Sequence, residues 1–467
     1  MEQVTVNELH FYRPRPSDLT AFLPYACSQL QAPFRLRILI ETIEEYVSKT
    51  DDKAKKSKRD KPGAQAHTPP AQYSGEKQES AVVVAQDYDD EGDVVLRAFC
   101  DPAGKPVELV FYHCSQVPRL LLKIIGLCIP YNMQLTKITI RWGPLDGFGL
   151  YEIAKFLPLS QITDICLDDS PVSHCNYYLL LEQQTHLKIL SLARCNLIDE
   201  DITLMASKLG HPLPASRTLA VLSLESNNIT DVGARALGEA LRTNRTLRHL
   251  NLAGNAITDL GASYIFRSLT QFPVSHDEIT LKRRRMFEFL KMKRETYERC
   301  YRELITPVEL ESGRSRRKTI SARSRKASTA TLASYKGSAG DTIACKAETM
   351  ANELLGAYSD PFHAAEMVVE GGETYCAGNF ALSYLNLAYN ALQCASAARL
   401  AAVLAYQARA RGPGAGLLRA VLEGSALPPD CGAARAAAHW LARALAAVDA
   451  FPVKTTRKSE KPKFKNT

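Results

Sequence analysis

The sequence has no apolar run long enough to cross a bilayer. Its most apolar stretch, Leu120 to Pro130, is broken by Lys123 and falls far short of the roughly 20 residues that a spanning helix needs. The amino end, Met1 to Leu19, carries charges and prolines where a secretory signal has an uninterrupted apolar core, so an intracellular, cytoplasmic setting is expected. The 12 cysteines, from Cys27 to Cys431, include no CxxC pair, which argues against a zinc site or a disulfide framework and for reduced, mostly buried thiols. Asn228-Ile229-Thr230 and Asn244-Arg245-Thr246 match the glycosylation pattern, but in an intracellular chain they are read as accidental.

Motifs of chemistry are equally missing. No GxxxxGK[ST], HExxH, GxSxG or GxGxxG element occurs in a strand-to-helix context, which removes the support for phosphate cradles, zinc hydrolysis and a nucleophile elbow. His113-Cys114 and His174-Cys175 are sequence neighbours, and neighbours alone do not build a nucleophile, a base and an orienting acid. Cys166 reads as packing. No catalytic residue, metal ligand or cofactor is expected, nor a small-molecule substrate.

Charge is present but unevenly placed. Of the formal +8, the segment 49–61 carries +4, 279–326 carries +10 and 454–467 carries +5, leaving −11 on the rest. The body that folds is therefore acidic, and the positive charge belongs to linkers, an insertion and the tail.

What the sequence does contain is a repeat. Leu219, Leu222, Leu224, Asn227 and Ile229 fit LxxLxLxxNxL, and Leu247, Leu250, Leu252, Asn255 and Ile257 repeat it 28 residues later. The continuations align too: Thr230-Asp231-Val232-Gly233-Ala234 matches Thr258-Asp259-Leu260-Gly261-Ala262, and Leu237 and Leu241 match Ile265 and Leu269. Upstream units start at Leu187, Ile162 and Leu135, with Cys195, Ser170 and Gly143 at the Asn position. After about a hundred residues the pattern returns at Leu382, Leu385, Leu387, Asn390 and Leu392, then faintly at Leu417, Ala420, Leu422, Ser425 and Leu427. Residues one, four and six of each unit point inward, and Asn at nine satisfies backbone groups that the turn leaves unpaired. Each buried Leu or Ile contributes roughly 1.5 to 3 kcal/mol, but one unit has no second wall, so the units must stack.

The expected fold is an α/β solenoid, a horseshoe with parallel strands on the concave face and helices on the convex face, interrupted by a long insertion and flexible linkers. Its parts are an amino-terminal helical segment at 1–48, with an amphipathic helix from Leu36 to Val47; a flexible linker at 49–85; and a cap with a hairpin and helix at 86–134. Repeats one to five occupy 135–272, a basic helical and disordered insertion 273–375, repeats six and seven 376–451, and a basic disordered tail 452–467. The hairpin rests on the alternation in Val94–Phe99 and Val107–Tyr112 around Asp101-Pro102-Ala103-Gly104. Repeat six is expected to pair directly beside repeat five.

With its 28-residue units and long helices, Leu135 to Leu269 resembles the ribonuclease-inhibitor-like class of leucine-rich repeats. The combination of SLESNNITDVGARALGEAL, NLAGNAITDLGASYIF, the basic insertion and LSYLNLAYNAL resembles a leucine-rich-repeat protein of motile cilia. That resemblance implies a non-catalytic scaffold with protein partners, axonemal or microtubule-associated, and a place in the cilium or axoneme. In this architecture binding comes from outward strand side chains, here Arg141, Trp142, Asp168, Asp169, Arg194, Glu225, Arg248, His249, Tyr384 and Tyr389. Aromatics and Arg among mixed charges suit a protein interface. A GTPase-activating or cytoskeletal capping regulator would use a similar frame. Nucleic-acid binding is suggested only by the basic insertion, without aromatic stacking modules.

The insertion is expected to be an extension, not a folded domain. Ile279 to Leu304 reads as a helix with Met286, Leu290, Tyr297, Tyr301 and Leu304 on one face. Ser312 to Ala330 has seven basic residues and no acids, a tether suited to an acidic surface such as that of microtubules. Thr319 and Ser328 follow basic residues as in basophilic kinase sites, where phosphate would cancel charge.

Overall fold

In a unit such as Leu247-Arg-His-Leu-Asn-Leu, only alternate side chains can be buried, so a short strand forms, and the Thr-Asp that follows starts a helix. The computed structural model of the chain describes residues 13–42, 93–112, 114–172, 175–314, 338–412 and 414–449. The described residues divide into two compact units, one of the residues up to Thr270 with those from Gly378 onward, the other Gln271–Ala377.

The first unit is organised by a 10-stranded sheet. Its strands are β1 (Arg35–Thr42), β2 (Asp93–Cys100), β3 (Pro106–Tyr112), β4 (Lys137–Arg141), β5 (Asp164–Cys166), β6 (Ile189–Ser191), β7 (Val221–Ser223) and β8 (His249–Asn251), then β12 (Tyr384–Asn386) and β13 (Arg419–Val421). They lie side by side in that order. From β3 onward every pairing is parallel, and β2 with β3 makes the antiparallel hairpin. Between successive repeat strands the chain forms helices at Gly147–Phe156, Asp199–Leu209, Asp231–Leu241, Asp259–Ser268 and Cys394–Arg411, and Gly432–Asp449 closes the series. Between β5 and β6, where the repeat is only 25 residues long, a 3-10 turn at Tyr177–Leu181 replaces the helix. The fully buried Tyr177 fills the space, its hydroxyl donating to Ser170 O at 3.0 Å and accepting from Val172 N at 3.1 Å.

The inward positions form one core. Leu187, Leu190, Leu192, Leu219, Leu222, Leu224, Leu247, Leu250, Leu252, Leu382, Leu385 and Leu387 are all buried in it. Two polar ladders run beside it. At repeat position nine, Asn227 Nδ2 donates to Leu192 O at 2.9 Å, Asn255 to Leu224 O at 3.0 Å and Asn390 to Leu252 O at 2.9 Å. Ser170 and Cys195 do the same work where Asn is missing, donating to Ile140 O and Leu167 O, and burial pushes the Cys195 thiol up to about 12. In the second ladder the first residue of each helix caps the next. Asp199 accepts from Thr230 Oγ1 at 2.5 Å and Gly233 N at 2.9 Å, and Asp231 accepts from Thr258 Oγ1 at 2.6 Å and Gly261 N at 3.0 Å. This explains the Thr-Asp-x-Gly pattern: a Cβ at Gly233 or Gly261 would sit 2.7 or 2.4 Å from that carboxylate.

The fifth and sixth repeats are neighbours although the chain leaves the sheet between them. Leu385 lies opposite Leu250 and Tyr384 opposite His249. Asn379 seats the return, donating to Leu241 O at 2.9 Å and Asn244 O at 2.8 Å while accepting from Ala381 N at 2.8 Å.

Two sequence expectations are corrected. The helix expected from Leu36 to Val47 is, within the described residues, strand β1; Ile43 to Val47 lie outside them. A period of two in Arg35-Leu36-Arg37-Ile38 packs Leu36 and Ile38 against the core, and pairing with β2 along Arg35–Thr42 supplies the backbone partners that override helical periodicity. The insertion is also no mere extension. The second unit combines a helix at His276–Arg314, a helix at Ser338–Leu355 and a three-stranded antiparallel sheet of β9 (Phe272–Pro273), β10 (Met367–Glu370) and β11 (Glu373–Cys376). Phe272, Val274, Phe362 and Cys376 form its core. The long helix continues past Pro307, and its packed face is the expected one only in part, with Tyr297, Tyr301 and Leu304 half-buried beside Cys300. Met286 and Leu290 are exposed, whereas Cys300 is buried, as are Ala347 and Ala351 on the other helix. Arg285 meets Asp360 at 2.7 Å: a buried carboxylate must be paired, and satisfying it turns residue 285 inward and 286 outward.

The expected linker at 49–85, the tail at 452–467, and Thr319 and Ser328 lie outside the described residues.

Candidate functional site

The outward face of the sheet is built from columns that advance one strand at a time. The register places Lys137, Asp164, Ile189, Val221, His249, Tyr384 and Arg419 in one row. A second row is repeat position eight, where Trp142, Asp169, Arg194, Ser226 and Tyr389 have φ between 51° and 56° and Gly254 and Gly424 have 68° and 69°. The left-handed turn ends each strand and throws the side chain outward, a conformation L residues adopt only when their surroundings hold it. Position seven, between them, holds Arg141, Asp168 and Glu225.

Charged side chains on this face are partnered across neighbouring strands. Arg194 grips Asp169 at two points, with Nη2 to Oδ2 at 2.7 Å, and this hydrogen bond raises the Arg194 guanidinium pKa further. Arg141 reaches Asp168 at 3.7 Å, Lys137 reaches Glu108 at 2.9 Å, and Glu225 accepts from Asn251 Nδ2 at 2.8 Å. Aromatic side chains stand at both ends of this series. Near β3 and β4 the rings of Tyr112 and Trp142 pack at 5.1 Å. Near β8, β12 and β13, His249 packs on Tyr384 at 5.4 Å and Arg419 covers the same ring at 5.7 Å. Trp142 is 44% exposed and Tyr389 62%. The Tyr389 ring lies over Gly424, where a Cβ would come within 2.2 Å of it.

Asp168 departs from the expectation of an outward side chain, being only 8% exposed. Its Oδ1 accepts from Ser191 Oγ at 2.7 Å and Ala193 N at 2.9 Å, so its carboxylate ties one turn to the next instead of facing a partner. Beside it, burial and the Asp168 charge push the Cys166 thiol up to about 11, the opposite of what a reactive thiol needs. Arg248 and His249 are exposed, and Arg248 Nη1 lies 3.5 Å from Ala381 O. Arg419 and Tyr112 belong to the same surface and were not singled out from the sequence. Arg419 was findable as position three of the faint seventh unit; Tyr112 sits on the cap hairpin, outside the repeat pattern. Among the described residues no group of His, Cys, Asp and Glu is arranged to hold a metal ion, and no helix is long and apolar enough to cross a membrane.

A family model described as Leucine Rich repeat matches residues 215–238 and 243–266. Two leucine-rich repeats are thereby identified in this chain. Each matched stretch holds one strand and the better part of one helix, β7 with Asp231–Leu241 and β8 with Asp259–Ser268. Comparison with curated proteins finds no match. Leucine-rich repeats generally serve as non-catalytic modules for binding other proteins, which is the use to which an aromatic and Arg-bearing sheet face lends itself.

Proposed function

We propose that this chain is a non-catalytic protein-interaction scaffold, curved as a horseshoe, that receives its partner on the concave strand face. The observation that carries the reading is the row of left-handed turns, which holds Trp142, Arg194 and Tyr389 outward, with Asp169 beneath Arg194, on a sheet whose backbone is already paired. Side chains fixed in this way lose little entropy on binding, and Trp, Tyr and Arg are the residues that dominate interface energetics. The contact residues are Arg141, Trp142, Asp169, Arg194, Glu225, Arg248, His249, Tyr384 and Tyr389, with Arg419 added. Asp168 acts behind them.

The resemblance of SLESNNITDVGARALGEAL and LSYLNLAYNAL to a repeat protein of motile cilia supports an axonemal partner, and the basic segment Ile279 to Lys326 supports contact with an acidic surface such as that of microtubules. The alternative role as a GTPase-activating or cytoskeletal capping regulator calls for a positioned Arg or Asn at a partner's active site; Arg194 is engaged at two points by Asp169, and stimulated GTP hydrolysis discriminates that role. Proximity labelling from the full chain in ciliated cells identifies the partner. Arg194→Glu with Arg248→Glu should then lower its affinity at least tenfold with an unchanged circular dichroism spectrum. Normal binding by the double variant overturns the assignment of the face. Loss of salt-sensitive microtubule co-sedimentation on deleting Ile279 to Lys326 tests the basic segment separately.

A further inference from the structure

The capping ladder along the helix starts changes its chemistry at the last step. At each junction the first residue of one helix meets the residue just before the next helix. Asp199 meets Thr230 and Asp231 meets Thr258, oxygen to oxygen at 2.5 and 2.6 Å. Asp259 continues the series across the insertion, accepting from Gln393 N at 2.9 Å and Ser396 N at 3.2 Å. The next rung is Cys394, first residue of its helix, facing Cys431, which immediately precedes Gly432–Asp449. Positions that elsewhere bring a carboxylate against a hydroxyl here bring together two thiols, and both are free. Each thiol is the largest influence on the acidity of the other, Cys394 being raised and Cys431 lowered.

We propose that Cys394 and Cys431 are a redox site, closing to a disulfide that staples the seventh repeat to the sixth. The other buried cysteines lie apart from this ladder; here the repeat itself sets two cysteines at the matched helix starts of adjacent units. Cys394 is partly exposed and Cys431 buried, so a small oxidant reaches the pair from the Cys394 side. Cys431 supplies the nucleophile. The Cys394 thiol and the amides of Ala434 and Ala433, at the start of the helix, hold its thiol below the ordinary value, as thiolates at helix starts are held. With a peroxide, the Cys431 thiolate attacks one oxygen, the O–O bond breaks and hydroxide leaves to become water. The Cys394 sulfur then attacks the resulting sulfenic sulfur, the S–S bond forms, the S–O bond breaks and a second water leaves. Two thiols are oxidised and one peroxide is reduced. A thiol reductant reverses the step.

The staple falls where the stack is weakest. Ala420 and Leu422 of the seventh repeat are only partly buried, whereas their counterparts Leu385 and Leu387 in the sixth are buried, and Ser425 Oγ is buried with no partner among the described residues. A covalent tie there turns a fraying end into a fixed cap.

The test uses the full chain, reduced, then treated with hydrogen peroxide and blocked with an alkylating reagent. Peptide mass mapping should find Cys394 joined to Cys431, 2 Da lighter than the reduced pair and released by reductant, with Cys345, the exposed thiol, alkylated as usual. Oxidation should raise the melting temperature by several degrees and slow proteolysis of 432–449 severalfold. Cys394→Ser and Cys431→Ser should each abolish both effects. Should those variants fold poorly, Cys394→Asp with Cys431→Thr restores the rung found at earlier junctions and should fold without responding to peroxide. Separate alkylation of Cys394 and Cys431 after oxidation, or a peroxide response that survives in the Asp–Thr variant, overturns the proposal.

Discussion

Asn390 donates from Nδ2 to the carbonyl of Leu252, 138 residues earlier in the chain, at 2.9 Å. Its Oδ1 accepts from Ile257 N at 3.0 Å, so one buried amide reproduces across the insertion the contacts that Asn255 makes within the uninterrupted array. Asn390→Ala leaves buried backbone groups on both repeats without partners, at a cost of about 1 to 3 kcal/mol for each group left unsatisfied. Urea unfolding should show a loss of at least ~2 kcal/mol, and a shift below ~0.5 kcal/mol would mean that the sixth repeat is not seated through this side chain.

Gly238 lies where the helices Asp231–Leu241 and Asp259–Ser268 come close. A Cβ there would approach the Tyr264 carbonyl oxygen to 2.7 Å, and that oxygen is backbone, so the helix Asp259–Ser268 would have to move. Helix propensity favours Gly238→Ala by about 1 kcal/mol, but forced overpacking costs about 1 to 3. The variant should be the less stable protein in thermal melts; a stabilised variant would show that the helices separate freely.

The stability of the second unit should depend on acid. Burial pushes the Asp360 carboxyl up, yet hydrogen bonds from Arg285 and the Phe362 amide outweigh it and hold the carboxyl below its ordinary value of 3.8. A carboxylate with a depressed folded pKa stabilises the fold fully above its unfolded value, and that contribution is lost as pH falls through the folded one. Unfolding of the intact chain, followed by amide exchange in 271–377, should therefore accelerate below about pH 3.8. Asp360→Asn should accelerate it already at pH 7 and flatten its acid dependence.

Tyr384 separates binding from folding. Its ring lies between His249 and Arg419 on the outward face, and Tyr384→Ala removes no inward contact of the sheet. We expect stability within ~0.5 kcal/mol of the parent, as at ordinary surface positions, and a loss of ~2 kcal/mol in affinity for a partner that uses this end of the sheet, typical of an aromatic hot spot. Isothermal titration beside urea unfolding distinguishes this outcome from a structural role for the ring.

Much of the fold was written in the spacing of Leu, Asn and the Thr-Asp-x-Gly signature, because each of those residues makes its contact with the adjacent repeat at a fixed offset. The parallel pairing of β8 with β12 followed from the same offsets. Three features were not legible. The sequence Arg35-Leu36-Arg37-Ile38-Leu39-Ile40 suits a helix or a strand, and the decision belongs to the edge of β2, which no local pattern reports. The second unit is tied together by contacts such as Asp360 with Arg285, residues 75 apart with no periodic relation. In the candidate site, the outward rows were readable as positions, but Asp168 was not readable as buried, since its partners Ser191 and Ala193 come from the following repeat and its polarity alone suggested exposure.

Gly378 approaches Thr270 so closely that a Cβ on it would lie 2.5 Å from the Thr270 carbonyl oxygen. The two ends of the inserted unit thus meet at one seam, and the connection from repeat five to repeat six behaves as a socket. Lengthening it from 28 to 135 residues costs only about 1.4 kcal/mol in loop closure, little beside one buried leucine. Such a seam accepts cargo without retuning the array: evolution can exchange the guest module while leaving the host repeats untouched, and an engineer can replace 271–377 with a reporter or a different folded unit whose own termini lie together.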